Sequence, residues 1–544
     1  MASSSAYLSD FDHEPKRAKM EATDSGPEPQ FPAEIWEHIF RFIPGSQLLQ
    51  LRMICQRWSD IIMSSPSLMS RFYVQFKQPK GVLPMEDGYV PENLPPKAIK
   101  VLFHKCAIAG LGAVKSWWPA FAMKLTELQI GLGQISAENL LWMLQQAPNL
   151  KKLIMFQVLL SGSGTGFGDT NVRFNRLEMF AVFHLRYEDK NYQDILVGLE
   201  HKFPSLKVLR LDVAIHKNEA EILQSVRTLQ SSLQRLHLPR GKNVLAELCK
   251  MNQLRLKELQ LDLRFPQDLE QWTKFCKVQQ QQLEQLTLTA NQSEFLVETG
   301  RVLRNLKRLS LTLHGDMEVS FLDAMPGLEV LEITADSKID FLAHKSPNLT
   351  QFRLNDVETE DLFQYLQRSQ KLAQIYLSGC RLGNREISVT RHFRSLKVLS
   401  LEDITCDADL LVSLFGHSPL LEDLYLSWIK SLEDEHVLVA CKRLRRLKKL
   451  SLVSIRGVTD ESAQYIQRYC PVLEELEADF SDQVLDQLEA DKKIRIKRCD
   501  SDWSGFDSGE DDLEDYDAED DYYEDEGADD DYDEDEGADD VDED

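Results

Sequence analysis

The chain has few of the residues that staple or metal-bind a fold. Its nine cysteines, at 55, 106, 249, 276, 380, 406, 441, 470 and 499, are odd in number and scattered, with no CxxC pair. That pattern argues against a disulfide framework and a clustered zinc site, and it fits a reducing compartment. No run of 18 apolar residues occurs, so no segment reads as a membrane-crossing helix. The leader MASSSAYLSDFDHEPKRAKM lacks the apolar core of a signal peptide. A soluble protein of the cytoplasm and/or nucleus is expected. Lys16, Arg17 and Lys19 read either as a nuclear address or as charge in a disordered leader. The glycine-rich SGSGTGFGDT at 161–170 lacks the GK[ST] ending of a phosphate loop and reads as a flexible insertion. No Cys with His, paired carboxylates or metal-ligand spacing stands out, so neither an enzyme nor a cofactor is expected.

One end lacks bases altogether. Residues 500–544 hold 27 Asp and Glu with no Lys or Arg, and they account for the whole formal charge of −27. Residues 1–499 balance at 62 acids and 62 bases. The acidic end, with its repeated EDEGADD and little aliphatic content, is expected to be disordered because it cannot bury a core.

What the chain has in abundance is a repeated LxxLxL segment. Fifteen of these begin at leucines 125, 150, 177, 206, 233, 256, 283, 306, 328, 349, 372, 396, 421, 447 and 473, at steps of 21 to 29 residues. The last two apolar positions of each alternate with an outward residue, as in a short strand buried on one face. The residues between are expected to be helical. In the unit from 447, Thr459 or Asp460 can cap a helix with Ala463, Ile466, Tyr469 and Cys470 at helical spacing, and Pro471 ends it. One strand and one helix cannot bury both apolar faces alone, so neighbours must stack into a solenoid with a curved parallel sheet. The pattern resembles the leucine-rich-repeat horseshoe over residues 125 to 480. GVTDESAQYIQRYCPVLEEL, and LAQIYLSGC with Cys380, look like its cysteine-containing subclass.

A different pattern precedes the repeats. Leu48, Leu51, Ile54, Cys55, Trp58, Ile61 and Ile62 recur at three and four residues, which predicts one helix face with Cys55 as an apolar member rather than a nucleophile. Ile35, Ile39, Phe40 and Ile43 form an earlier short face, broken at Pro44 and Gly45. The wider segment FPAEIWEHIFRFIPGSQLLQLRMICQRWSDIIMSSPSL resembles the F-box at Pro32, Glu34, Ile35, Ile39, Phe40, Leu48, Cys55, Arg57 and Trp58. The resemblance implies docking on the S-phase-kinase-associated adaptor, which joins a cullin scaffold and a RING subunit in a ubiquitin ligase. Pro32, Ile35, Ile39, Leu48, Leu51, Cys55 and Trp58 would form the docking face. Phe31, where the family usually has leucine, and Leu68 with Met69, where a tryptophan often stands, depart from the pattern and bear on adaptor affinity. The other reading of these helices is a cap over the open edge of the solenoid.

The expected architecture is therefore α/β. A disordered leader (1–30), an all-α F-box (31–72) and a stiff proline-rich link (73–98) precede a leucine-rich-repeat solenoid (99–499) and the acidic tail (500–544). Outward strand positions face the concave side, where a protein partner would bind. Arg210, Arg235, His237, Arg308 and Arg353 suggest a basic middle, and Glu402, Asp423, Glu475, Glu477 and Asp479 an acidic C-terminal end. Arg353, Tyr376, Asp423, Tyr425 and Trp428 are the candidate substrate contacts, since aromatics with charged neighbours compose interaction hot spots. An ordinary solvated strand face is the other reading. Lys442, Arg443, Arg445, Arg446, Lys448 and Lys449 read as a solvated turn entering a strand rather than a nucleic-acid site, because no aromatic platform accompanies them. Two functions fit: a non-catalytic substrate receptor of the ligase, with a substrate of basic character, or a ligase-independent binder of basic proteins using the repeats and tail.

Overall fold

The computed structural model describes residues 7–8, 31–43, 45–78, 81–91, 94, 98–161, 173–187, 194–213, 218–264, 269–315, 318–341, 343–360, 362–383, 392–492 and 494–498. The leader cluster at Lys16, Arg17 and Lys19, the glycine-rich insertion after its first residue and the acidic tail lie outside them. Each of the fifteen leucine-led segments enters a strand two residues after its first leucine, from Glu127–Gly131 to Glu475–Ala478. These strands pair in parallel with their sequence neighbours in one nineteen-stranded sheet. The shared register stacks the inward side chains into a ladder: Leu424 lies between Leu399 and Leu450. The first leucine of every unit, such as Leu421 or Leu447, is buried with them. Fully burying each such leucine contributes roughly 1.5–3 kcal/mol.

The sheet also runs past both ends of the fifteen leucine-led segments, and on the N-terminal side past the expected start of the solenoid at 99. Val74–Phe76 and Lys100–His104 precede the fifteen strands, and Arg495–Lys497 follows them. Phe72 and Ala98 stand where the other units carry leucine, and both are buried, so a search for leucine misses them. Residues 73–98, expected to be a link, thus carry a strand of the sheet, parallel to Lys100–His104 on one side and antiparallel to Tyr7–Leu8 of the expected disordered leader on the other. A second strand, Leu83–Met85, pairs with Cys106–Ile108 in a smaller parallel sheet. Pro84 lies at the exposed centre of that short strand, where a missing N–H is tolerated.

The return path depends on unit length. Long units close with α-helices such as Ala408–Gly416, Asp434–Arg443 and Glu461–Tyr469. The unit from 306 has only the 3-10 turn Ser320–Ala324, and the unit from 328 shows no helix among its described residues. The expectation of a helix in every unit fails here because 21 or 22 residues leave too few for one after the strand and two turns. Thr459 does cap the Glu461–Tyr469 helix: its Oγ1 accepts from Glu461 N at 3.3 Å. Asp460 instead accepts from Ser481 N (2.9 Å) and Ser481 Oγ (2.6 Å) in the next unit. Asp434 does the same one unit earlier, taking Thr459 N at 2.9 Å, Thr459 Oγ1 at 2.7 Å and Ser462 Oγ at 2.5 Å. Burial pushes its carboxyl up, but these hydrogen bonds outweigh that and hold it below the usual range.

A left-handed residue directly follows many strands. Lys105, Leu132, Gln157 and His184 at one end, and Asp356, Gly379, Asp403, Trp428 and Ser454 at the other, have positive φ. All but Ser454 turn their N–H to a carbonyl of the next unit, as Trp428 N does to Val453 O at 3.2 Å, and Ser454 N–H goes to the Asp479 carboxylate instead. In two units a cysteine comes next and seals the turn. Cys106 Sγ donates to Phe76 O (3.1 Å) and Cys380 Sγ to Leu354 O (3.3 Å), both in the preceding unit.

Candidate functional site

The N-terminal helices Ala33–Phe40, Gly45–Arg52, Gln56–Ser64 and Pro66–Met69 have their own core. Trp36 and Phe40 pack their rings on Trp58 at 4.9 and 5.5 Å. Ser65 caps the last helix, accepting from Leu68 N, and donates to Glu37 Oε1 at 2.8 Å. Ser67 and Arg41 reach the same oxygen at 2.9 Å. Hydrogen bonds from Ser65, Arg41 and Ser67 hold the Glu37 carboxyl below its usual range.

Three expected features change. The predicted single stripe from Leu48 to Ile62 is split between two helices, with Cys55 in extended conformation as the N-cap of the second. Met53 and Ile54 lie in the break and point outward. Leu48 is fully buried, and Trp58 and Leu51 pack against the core, so these three hold the helices together. Pro32, Ile35 and Ile39 are exposed. Phe42, at 78% exposure, continues their line, and Phe31, Met53 and Ile54 are further exposed apolar groups. Phe42, Met53 and Ile54 were missed because periodicity marks apolar residues without saying which side faces a neighbour.

The second candidate surface is the outward side of the C-terminal strands. The register places Glu332, Arg353, Tyr376, Ser400, Tyr425, Ser451 and Glu477 side by side across seven strands. Arg353 contacts Glu332 Oε1 at 3.3 Å and lies 5.2 Å from the Tyr376 ring centre. Burial, then Asp423, Glu475, Tyr376 and Glu477, pushes the Tyr425 hydroxyl up to about 12. Asp423 is raised mainly by burial, whereas Lys497, 2.8 Å away, helps hold Glu475 below its usual range against burial. Trp428 stands on the rim, 49% exposed, in the left-handed conformation that follows the strand. Thus Tyr376, Tyr425 and Asp423 share one face with Arg353, and Trp428 edges it.

The middle of this face is less basic than the residue types suggest. Arg210 and Arg235 both pair with Glu258, at 2.6 and 3.3 Å. Burial and the Arg210 guanidinium push His237 down to about 3, so it is neutral. The acids that neutralise this region sit on strands next to the bases, a pairing visible only in the register.

Residues 29–75 match the F-box-like family. The F-box-like domain thus coincides with the helical head and reaches into the strand Val74–Phe76. No curated protein matches the chain. Among solved structures the chain is similar to a TLR13–ssRNA13 complex (15% identity, TM-score 0.43, covering 77% of this chain and 72% of that one). It is also similar to an internalin, inlF, from Listeria monocytogenes (15%, 0.32, 71% and 87%) and to a Rad7–Elc1 complex in yeast (14%, 0.30, 83% and 90%). The repeated strand and its leucine ladder make the body a leucine-rich-repeat solenoid on its own geometry.

Proposed function

We propose that the chain is a non-catalytic substrate receptor of a cullin–RING ubiquitin ligase. The observation that carries this reading is the apolar line of Ile35, Ile39 and Phe42 left exposed on the F-box-like head, which suits docking on the S-phase-kinase-associated adaptor. The strand face around Asp423 and Tyr425 would hold a basic segment of the protein substrate, with Tyr376 and Trp428 as aromatic contacts. Because Val74 follows the head without a long flexible link, substrate and adaptor would be held at a fixed separation, which favours transfer by proximity. The buried, carbonyl-bonded thiols of Cys106 and Cys380, pushed up to about 12 and about 11, support both the cysteine-containing repeat subclass and a structural role.

The test is co-purification of the full chain with adaptor and cullin. Ile35→Asp with Ile39→Asp is the informative variant, because both side chains are exposed and the core around Trp58 stays intact. The parent should retain both partners and the variant lose them with an unchanged melting temperature. A folded parent that captures no adaptor overturns the ligase reading.

A further inference from the structure

The C-terminal units carry a second charged surface, at the corner where helices end and strands begin. Lysines at strand entries are generally matched to a glutamate: Lys207 to Glu178, Lys307 to Glu284, and Lys397 and Lys448 to Glu422. Lys442, Arg443, Arg445, Arg446 and Arg468, at the ends of two neighbouring helices and in the turn after one of them, have no such match. All five are exposed, and none forms an ion pair with a described carboxylate. Three converge on one ring, with Lys442 Nζ 5.4 Å, Arg445 Cζ 5.9 Å and Arg468 Cζ 5.4 Å from the centre of Tyr469. Arg445 also donates to Tyr469 O at 3.4 Å, fixing one unit's guanidinium on the next. Val472, three residues on, is 45% exposed.

We infer that this corner is a docking surface for a carboxylate-rich segment of a partner polypeptide, separate from the strand face. Unpaired cations held close together repel one another, and an anionic partner relieves that repulsion. The Tyr469 ring anchors the cations rather than offering a free platform for a nucleobase, which disfavours single-stranded nucleic acid. Val472 gives an apolar side chain of an acidic peptide something to bury. The same units show acids on the strand face, Asp423 and Glu477 among them, so partners of opposite charge would be sorted to different sides of one element stack. The inference does not depend on the ligase reading.

The test is fluorescence anisotropy on the full chain with a labelled Asp/Glu peptide containing one leucine, beside a Gln-substituted peptide and a single-stranded oligonucleotide of equal charge. The acidic peptide should bind, and added salt should weaken it. Lys442→Glu, Arg445→Glu and Arg468→Glu together should raise its Kd at least about tenfold. Their exposure predicts an unchanged melting temperature, and Tyr425→Ala on the strand face should leave this binding intact. Equal binding by the triple variant overturns the inference, as does tighter binding of the oligonucleotide. Binding that appears only after removal of residues 502–544 would also overturn it, since the occupant would then belong to this chain.

Discussion

Two residues carry the clearest single-site consequences. His237 has a folded pKa far below its ordinary value of about 6.5, because burial and Arg210 oppose its charge. Between that value and about 3 the unfolded chain binds the extra proton, so this group's contribution is present above pH 6.5 and lost as pH falls. His237→Gln should remove that dependence: from about pH 7.5 to 5.5 the parent should lose up to about 1.4 kcal/mol more than the variant in chemical denaturation. Trp428 holds a large, half-exposed side chain where the backbone favours glycine. That conformation costs a non-glycine residue about 1–2 kcal/mol. Trp428→Gly should therefore preserve or raise the melting temperature while weakening capture of a substrate under the proposed receptor function. A variant that captures substrate as well as the parent would reduce Trp428 to an incidental rim residue.

Among the elements, the head depends on a polar clasp as much as on its aromatic core. Ser65 both caps the Pro66–Met69 helix and joins it to Glu37 on the first helix. Ser65→Ala should cost about 0.5–2 kcal/mol, the usual range for a lost cap, read as earlier loss of the head in thermal unfolding. The apolar pattern foretold a head of short helices, yet not the break at Met53 and Ile54. Ile54 satisfies the helical spacing as well as Ile61 does; only packing distinguishes the 63% exposed side chain from the buried one. The strands were far more legible, since a two-residue period with leucine at fixed offsets admits one register, and a slip would expose the whole ladder.

For the molecule as a whole, stability is a chain of neighbour contacts. Among the described residues Arg495–Lys497 pairs on one side only, with Glu475–Ala478, whereas Asp423–Ser427 is held on both. Leu476→Ala removes a fully buried rung, a change that costs about 2–5 kcal/mol in a packed core. Hydrogen exchange should then accelerate from Lys449 to Lys497 and stay near the parent's rate at Leu128 and Leu153, as expected when each unit touches only its neighbours. Uniform acceleration along the chain would instead mean that the solenoid unfolds as one cooperative block.

The repeat period alone determined the solenoid, its strand positions and its outward rows, because burial of one strand face and one helix face leaves stacking as the only way to cover both. Composition along the chain likewise determined the charge division between a balanced body and an acidic tail. The tertiary structure decided what depends on neighbours far apart in sequence. It buried Leu48 and exposed Phe42, Met53 and Ile54, and it matched Arg210 and Arg235 to Glu258 across adjoining strands. It also left Lys442, Arg445 and Arg468 together around Tyr469 without a described carboxylate. Residue type gives a charge or a hydrophobic surface; whether that surface is satisfied depends on distances of a few ångströms that only folding sets.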